Sequence, residues 1–193
     1  MRLFVGIDID EAIRQRIAAF AESVRAIAPQ ARWVRPETFH VTLKFIGETG
    51  KQSEIAAALQ HITQAGPQIR FCGTGFFPAA PTARVFWVRI EADDRLPALA
   101  AAVDKAAAEL GFEAESKGYK PHLTLARGGS HASGNPHQKA ASRGAMFAAL
   151  HRHLQAAPQP DFGTMQAHEF CLYESKLSPA GARYTKIARF PLE

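Results

Sequence analysis

Two short segments carry the residue types that acid–base chemistry needs: His40-Val41-Thr42-Leu43 and His122-Leu123-Thr124-Leu125. In a strand, residues two apart project from one face, so each histidine shares a face with its threonine while the apolar neighbours point into a core. Two such faces meeting across a cleft would offer two imidazoles and two hydroxyls to one ligand. Imidazole titrates near neutrality, so one ring can take a proton from water while the other gives one to a leaving oxygen. The hydroxyls can donate to non-bridging phosphate oxygens and stabilise the charge that builds there. The set suits cleavage of a phosphodiester. Taken singly, each His-x-Thr is the ordinary solvent face of an amphipathic strand; only the matched pair departs from what packing requires.

Cations follow both motifs. Strict alternation puts Lys44 on the histidine face and Leu43 and Phe45 in the core. It puts Arg127 on the opposite face unless a bulge or a strand end intervenes, and Gly128 and Gly129 make an end plausible.

The elements that must position these residues follow from periodicity. A buried strand is predicted over residues 2–9 and a helix from Asp10 to about Ile27, with Ile13, Ile17, Phe20, Val24 and Ile27 at helical spacing and Pro29 closing it. The link ARWVRPET leads into a strand ending at Gly47. A helix over 51–65, with Ile55, Leu59 and Ile62 on one face, and a strand over 69–77 follow, and Pro78 and Pro81 break the chain. A strand over 83–92, a helix over about 95–110 and the second histidine strand then repeat the order. Laid over itself with an offset of 82, the chain pairs Phe4 with Phe86, His40 with His122, Thr42 with Thr124 and Leu43 with Leu125. The Gly-, Ser- and Ala-rich stretch 128–144 reads as a mobile surface loop, with a helix near 145–155 after it. Two strands, QAHEFCLYESKL and ARYTKIARF, joined by the turn residues SPAG, end the chain. Strands and helices interspersed in two similar halves, with half-polar strands, predict an α+β fold with antiparallel sheets, built as one duplicated unit near 1–80 and 83–193.

At 193 residues, 47% of them hydrophobic, the chain can bury a substantial core, and no stretch approaches the ~20 apolar residues of a membrane span. Cys72 and Cys171 lie in apolar strand-like runs, outside any disulfide or metal-ligand spacing, which fits a reducing cytoplasm. A net charge of +5 favours polyanionic partners, although the lysines and arginines are scattered. His131, His137, His151 and His153 crowd one region, yet His151 and His153 on a helix would diverge by ~200°, so no metal site is expected. His61 and His168 lack a second motif residue and read as surface or satisfied core positions. Gly73 and Gly75 in CGTGFF lack the downstream glycine and helix start of a phosphate cradle.

RLFVGIDI, RWVRPETFHVTLKFIGE, KPHLTLAR and LSPAGARYTKIARFPL closely resemble the bacterial RNA 2′,3′-cyclic phosphodiesterases, also called 2′-5′ RNA ligases, of the two-histidine phosphoesterase superfamily. The resemblance spans most of the chain and is weakest over 128–160. It implies a bilobal fold, outer helices and two sheets around a central groove, with no metal or cofactor. The implied reaction turns an RNA 2′,3′-cyclic phosphate end into a 2′-phosphomonoester, with weak reverse ligation in some members. Pseudo-symmetry leaves the roles of the two histidines interchangeable; the resemblance makes His40 the proton donor and His122 the acceptor. It places Arg127, with Thr42 and Thr124, on the phosphate. Tyr119, between Gly118 and Lys120, is a candidate to stack on the terminal base, as is Phe45 where it is not core. Arg183 and Tyr184 are rim candidates. A monomer acting on RNA or oligonucleotide ends is expected. A small cyclic phosphate as substrate and a non-catalytic RNA-end binder are the alternatives, and the second has no use for two titrating imidazoles.

Overall fold

The computed structural model describes residues 1–79, 82–128, 147–178 and 181–193. Among them, nine strands form two antiparallel sheets. The first sheet contains β1 (Arg2–Asp8), β3 (His40–Glu48), β8 (Glu169–Ser178) and β9 (Gly181–Pro191), in the order β3-β1-β8-β9. The second contains β2 (Arg32–Trp33), β4 (Gln68–Phe77), β5 (Val85–Ala92), β6 (His122–Arg127) and β7 (Asp161–Gln166), in the order β2-β6-β5-β4-β7. The helices are α1 (Glu11–Arg25), α2 (Gln52–Leu59), α3 (Arg95–Glu109) and α4 (147–155), and a 3-10 turn spans Pro36–Thr38.

The α+β class with antiparallel sheets stands as expected, but each sheet draws on both halves of the sequence. β4 follows the first histidine strand yet pairs with β5, and β8 follows the second yet pairs with β1. The helices cross in the same way. α1 buries Ile13, Ile17 and Val24, its Phe20 meets Phe162 of β7 at 5.3 Å, and Arg16 donates to the Phe162 carbonyl. α3 buries Leu96, Leu99, Val103 and Ala107 at helical spacing and reaches β3 through Asp104. One apolar core therefore runs continuously through both lobes.

Three elements differ from expectation. The link ARWVRPET contains β2, held by pairing of Arg32 with Arg127 and Trp33 with Ala126. α2 stops at Leu59, after which Ile62 still packs on the core from a turn. β7 was not foreseen, because Gly163 at φ 108° breaks the alternation of DFGTMQ and leaves only Phe162 and Met165 buried in the strand. Pro81, the turn residues Pro179 and Ala180, and all of the expected loop beyond Gly128 lie outside the described residues.

Candidate active site

His40 opens β3 and His122 opens β6. Each ring is fixed in the same way. His40 Nδ1 lies 2.8 Å from the Thr38 carbonyl and His122 Nδ1 2.8 Å from the Lys120 carbonyl. A carbonyl only accepts, so in both rings Nδ1 carries the proton and Nε2 is left for chemistry. His40 Nε2 accepts from the Thr42 hydroxyl at 3.0 Å. Among the described residues His122 Nε2 has no such partner.

Both histidine strands bulge one residue beyond the threonine. On β3, Gly6 pairs with Thr42 and Val5 with Lys44, which leaves Leu43 over; on β6, Trp87 pairs with Thr124 and Phe86 with Ala126, which leaves Leu125 over. A bulge shifts every later side chain to the other face. This corrects two expectations. Lys44 is not on the histidine face: it is 9% exposed, bonded to the Asp104 carboxylate and donating to the Glu113 carbonyl at 2.6 Å. Phe45 is not core. It is 64% exposed on the histidine face, its ring 6.1 Å from that of Phe4. Arg127, five residues after His122 as Phe45 is after His40, is brought to the histidine face by the same device.

The strand before each bulge also slips by one. Thr42 faces Gly6 and Thr124 faces Trp87, so Gly6 corresponds to Trp87 and Phe4 to Val85. The overlay of Phe4 on Phe86 is therefore one residue off, and the two face opposite ways: Phe86 packs in the main core, whereas Phe4 is buried in a second cluster with Cys171 and Tyr173 on the histidine side, its ring 4.7 Å from that of His40. Gly6 matters because a Cβ there would stand 2.9 Å from the Val41 carbonyl oxygen and 3.4 Å from His40 Cδ2. In the other lobe Trp87 fills the matching place and lies over Gly75, where a Cβ would come within 2.3 Å of the indole.

Each histidine is approached by an arm that docks on the other histidine's strand. The arm before His40 pairs with β6, and Val34 N–H donates to the Leu125 carbonyl at 2.8 Å. The arm before His122 docks on β3, where the Tyr119 hydroxyl donates to the Thr42 carbonyl at 3.1 Å. The opposite arm thus takes one backbone carbonyl of each histidine strand. Tyr119 is thus half-buried against the core, its phenol pushed up by burial, and its hydroxyl ties the two motifs together.

The walls differ. His40 sits among Phe4, Tyr184 at 5.2 Å edge-on and Tyr173 at 6.4 Å, with Tyr173 donating to Asp8 at 3.0 Å and Lys186 paired to Asp8. Burial lowers its pKa below the ordinary 6.5; the Thr38 carbonyl and Asp8 oppose this, and the charges of Arg127 and His122 add to it. His122 is walled by Phe77 at 5.3 Å and Trp87 at 6.2 Å. Tyr184 lines the groove, while Arg183, the next residue on an unbroken stretch of β9, is exposed and alternates to the opposite face. Phe4, Asp8, Tyr173, Phe77 and Trp87 were missed; only register, set by the bulges, shows that they lie on the histidine side of their sheets, Phe4 and Tyr173 buried beneath His40. His61, His153 and His168 are exposed, and His151 packs on Phe76 at 5.5 Å, while His131 and His137 lie outside the described residues.

A family model described as LigT like Phosphoesterase matches residues 7–87 and again 88–184, one match around each histidine strand. Fold and sequence together define a phosphoesterase. The chain belongs to the LigT-like phosphoesterase family. It is 30% identical to the RNA 2′,3′-cyclic phosphodiesterase of Archaeoglobus fulgidus, over 98% of this chain and 99% of that protein, so its relatives extend beyond the bacterial group. The crystal structure of TT0787 of Thermus thermophilus superposes with a TM-score of 0.77 at 26% identity, covering 99% of this chain and 97% of that one. That of E. coli LigT complexed with 3′-AMP gives 0.74 at 27% identity, with the same coverage.

Proposed function

We propose that this protein hydrolyses the 2′,3′-cyclic phosphate at RNA ends to a 2′-phosphomonoester, with His40 and His122 as its acid and base. The observation that carries the reading is the pair of imidazoles in one groove, each locked by a backbone carbonyl with Nε2 left over; the phosphodiesterase relatives support the substrate. In the proposed step His122 Nε2 takes a proton from water as the water oxygen bonds to phosphorus. The bond from phosphorus to the 3′ oxygen breaks, and protonated His40 Nε2 gives that oxygen its proton. Burial keeps His40 neutral in the free protein; an anionic phosphate beside it raises its pKa and charges it. Once charged, Nε2 no longer accepts from Thr42, whose hydroxyl becomes free to donate to the phosphate. Thr124 and Arg127 complete the charge stabilisation. No step calls on a metal or cofactor.

One chain supplies both imidazoles, which supports action as a monomer, and free Cys72 and Cys171 together with an RNA-end substrate support a cytoplasmic setting. Reverse ligation is secondary, since water strongly favours hydrolysis. The test is incubation of EDTA-treated protein with an oligoribonucleotide ending in a 2′,3′-cyclic phosphate, followed by analysis of the new end. A 2′-phosphate is expected. A 3′-phosphate would reverse the leaving group, and an unaltered end would remove the reaction.

A further inference from the structure

The groove face of the second sheet carries an arginine pair whose second member the hydrolytic step does not use. Arg32 on β2 is paired directly with Arg127 on β6. Their neighbours in the ladder, Trp33 and Ala126, face the core, since Trp33 meets buried Phe86 at 6.1 Å and Ala126 is fully buried. Alternation therefore sends Arg32 and Arg127 together to the groove side, and both are exposed there. Like charges directly across a ladder destabilise it. Neither arginine has a carboxylate partner among the described residues, as is also true of Arg2, Arg16, Arg84, Arg89, Arg152 and Arg183; the pair is set apart by its placement directly across one ladder. The undescribed stretches contain no Asp or Glu that could supply one.

The pair lies at one end of the row that contains the histidine. Along β6 the histidine-face residues are His122, Thr124 and, after the bulge, Arg127; Arg32 stands beside Arg127 on the edge strand, further from the imidazoles. Arg127 is near enough to His40 and Tyr184 for its charge to be felt by both. A terminal cyclic phosphate between the imidazoles uses Arg127. The next anion along this row belongs to the strand that leads to that terminus.

We propose that Arg32 forms a second phosphate subsite, which takes the internucleotide phosphate 5′ of the terminal nucleotide and makes the protein select oligonucleotides over cyclic mononucleotides. The inference rests on the proposed hydrolysis and extends it to the substrate's length. Guanidinium is suited to the task because it binds phosphate oxygens in bidentate fashion, and phosphate contacts of this kind position a strand without reading its sequence.

Three substrates test it: a 2′,3′-cyclic mononucleotide, a cyclic-ended dinucleotide, and the same dinucleotide with a neutral methylphosphonate linkage. The wild type is expected to prefer the natural dinucleotide by about tenfold in kcat/KM over the other two. Arg32→Gln is expected to lose that preference while turning over the mononucleotide within about twofold of wild type, and to be indifferent to the methylphosphonate. A preference that survives Arg32→Gln, or independent losses from the variant and the neutral linkage, would overturn the subsite. Failure of the wild type on all three substrates would instead overturn the hydrolytic reading beneath it.

Discussion

The two histidine strands share a frame and differ in their walls. Both fix Nδ1 on a carbonyl two residues back, both bulge after the threonine, and both have a backbone carbonyl taken by the other lobe's arm. Around that frame, the residue four after the histidine is Lys44 in one lobe and Ala126 in the other; the residue five after is Phe45 or Arg127. Both rings lie against aromatic side chains, but His40 holds Thr42 on Nε2, whereas His122 Nε2 has no such partner among the described residues. Duplication thus supplies two equal imidazoles, and the walls make them unequal. Desolvation alone favours a neutral His40, so its role as acid in the proposed step depends on the phosphate's charge beside it.

The largest expected effect removes the shared frame. His40→Ala and His122→Ala should each lower kcat by about 10² to 10⁴-fold on a cyclic-ended oligonucleotide. A variant that keeps more than a tenth of wild-type turnover would take its histidine out of the chemistry. The next effect falls on a difference. Lys44→Met strands the Asp104 carboxylate, and because Asp104 is partly exposed the loss should be about 2 kcal/mol rather than the full cost of a buried charge, read as a lower urea midpoint. Lys44→Met with Asp104→Leu should recover most of it.

Tyr119→Phe tests the tie between lobes. Losing one hydrogen bond should cost about 1 kcal/mol of stability. If the tie sets the spacing of the imidazoles, kcat should fall about tenfold with KM little changed. A rise in KM alone would return Tyr119 to the role of substrate contact.

The smallest effect is on pH. His40 titrates below its ordinary value in the folded protein, so as pH falls the unfolded chain takes up that proton first. Its contribution to stability is full above 6.5 and declines as pH drops through that value toward the lowered one. His40→Gln should flatten the fall of stability as pH drops below about 6.5 relative to wild type. An unchanged slope would mean that burial does not hold the ring neutral.

The periodicity of apolar residues made most of the elements legible, including both histidine strands, and the repeat of His, Thr and Leu made the chemistry legible. Side-chain direction beyond the threonine was not. Alternation sent Lys44 to the groove and Phe45 to the core because a bulge of one residue leaves no mark in composition; the part-buried ion pair of Lys44 with Asp104 joins residues 60 apart in the chain. The crossing of strands between halves is equally silent locally, since β4 and β8 read as strands whichever sheet they join. Tyr119 looked like a surface aromatic between Gly118 and Lys120, and only its docking on the Thr42 carbonyl shows otherwise.

The central claim, that the desolvated ring delivers the proton and the open ring removes one, is tested most directly with a cyclic-ended oligonucleotide whose bridging 3′ oxygen is replaced by sulfur. A thiolate leaves without a proton. His40→Ala is therefore expected to regain turnover to within about tenfold of wild type on this substrate, while His122→Ala stays inactive. Recovery of His122→Ala instead, or of neither variant, would contradict the assignment.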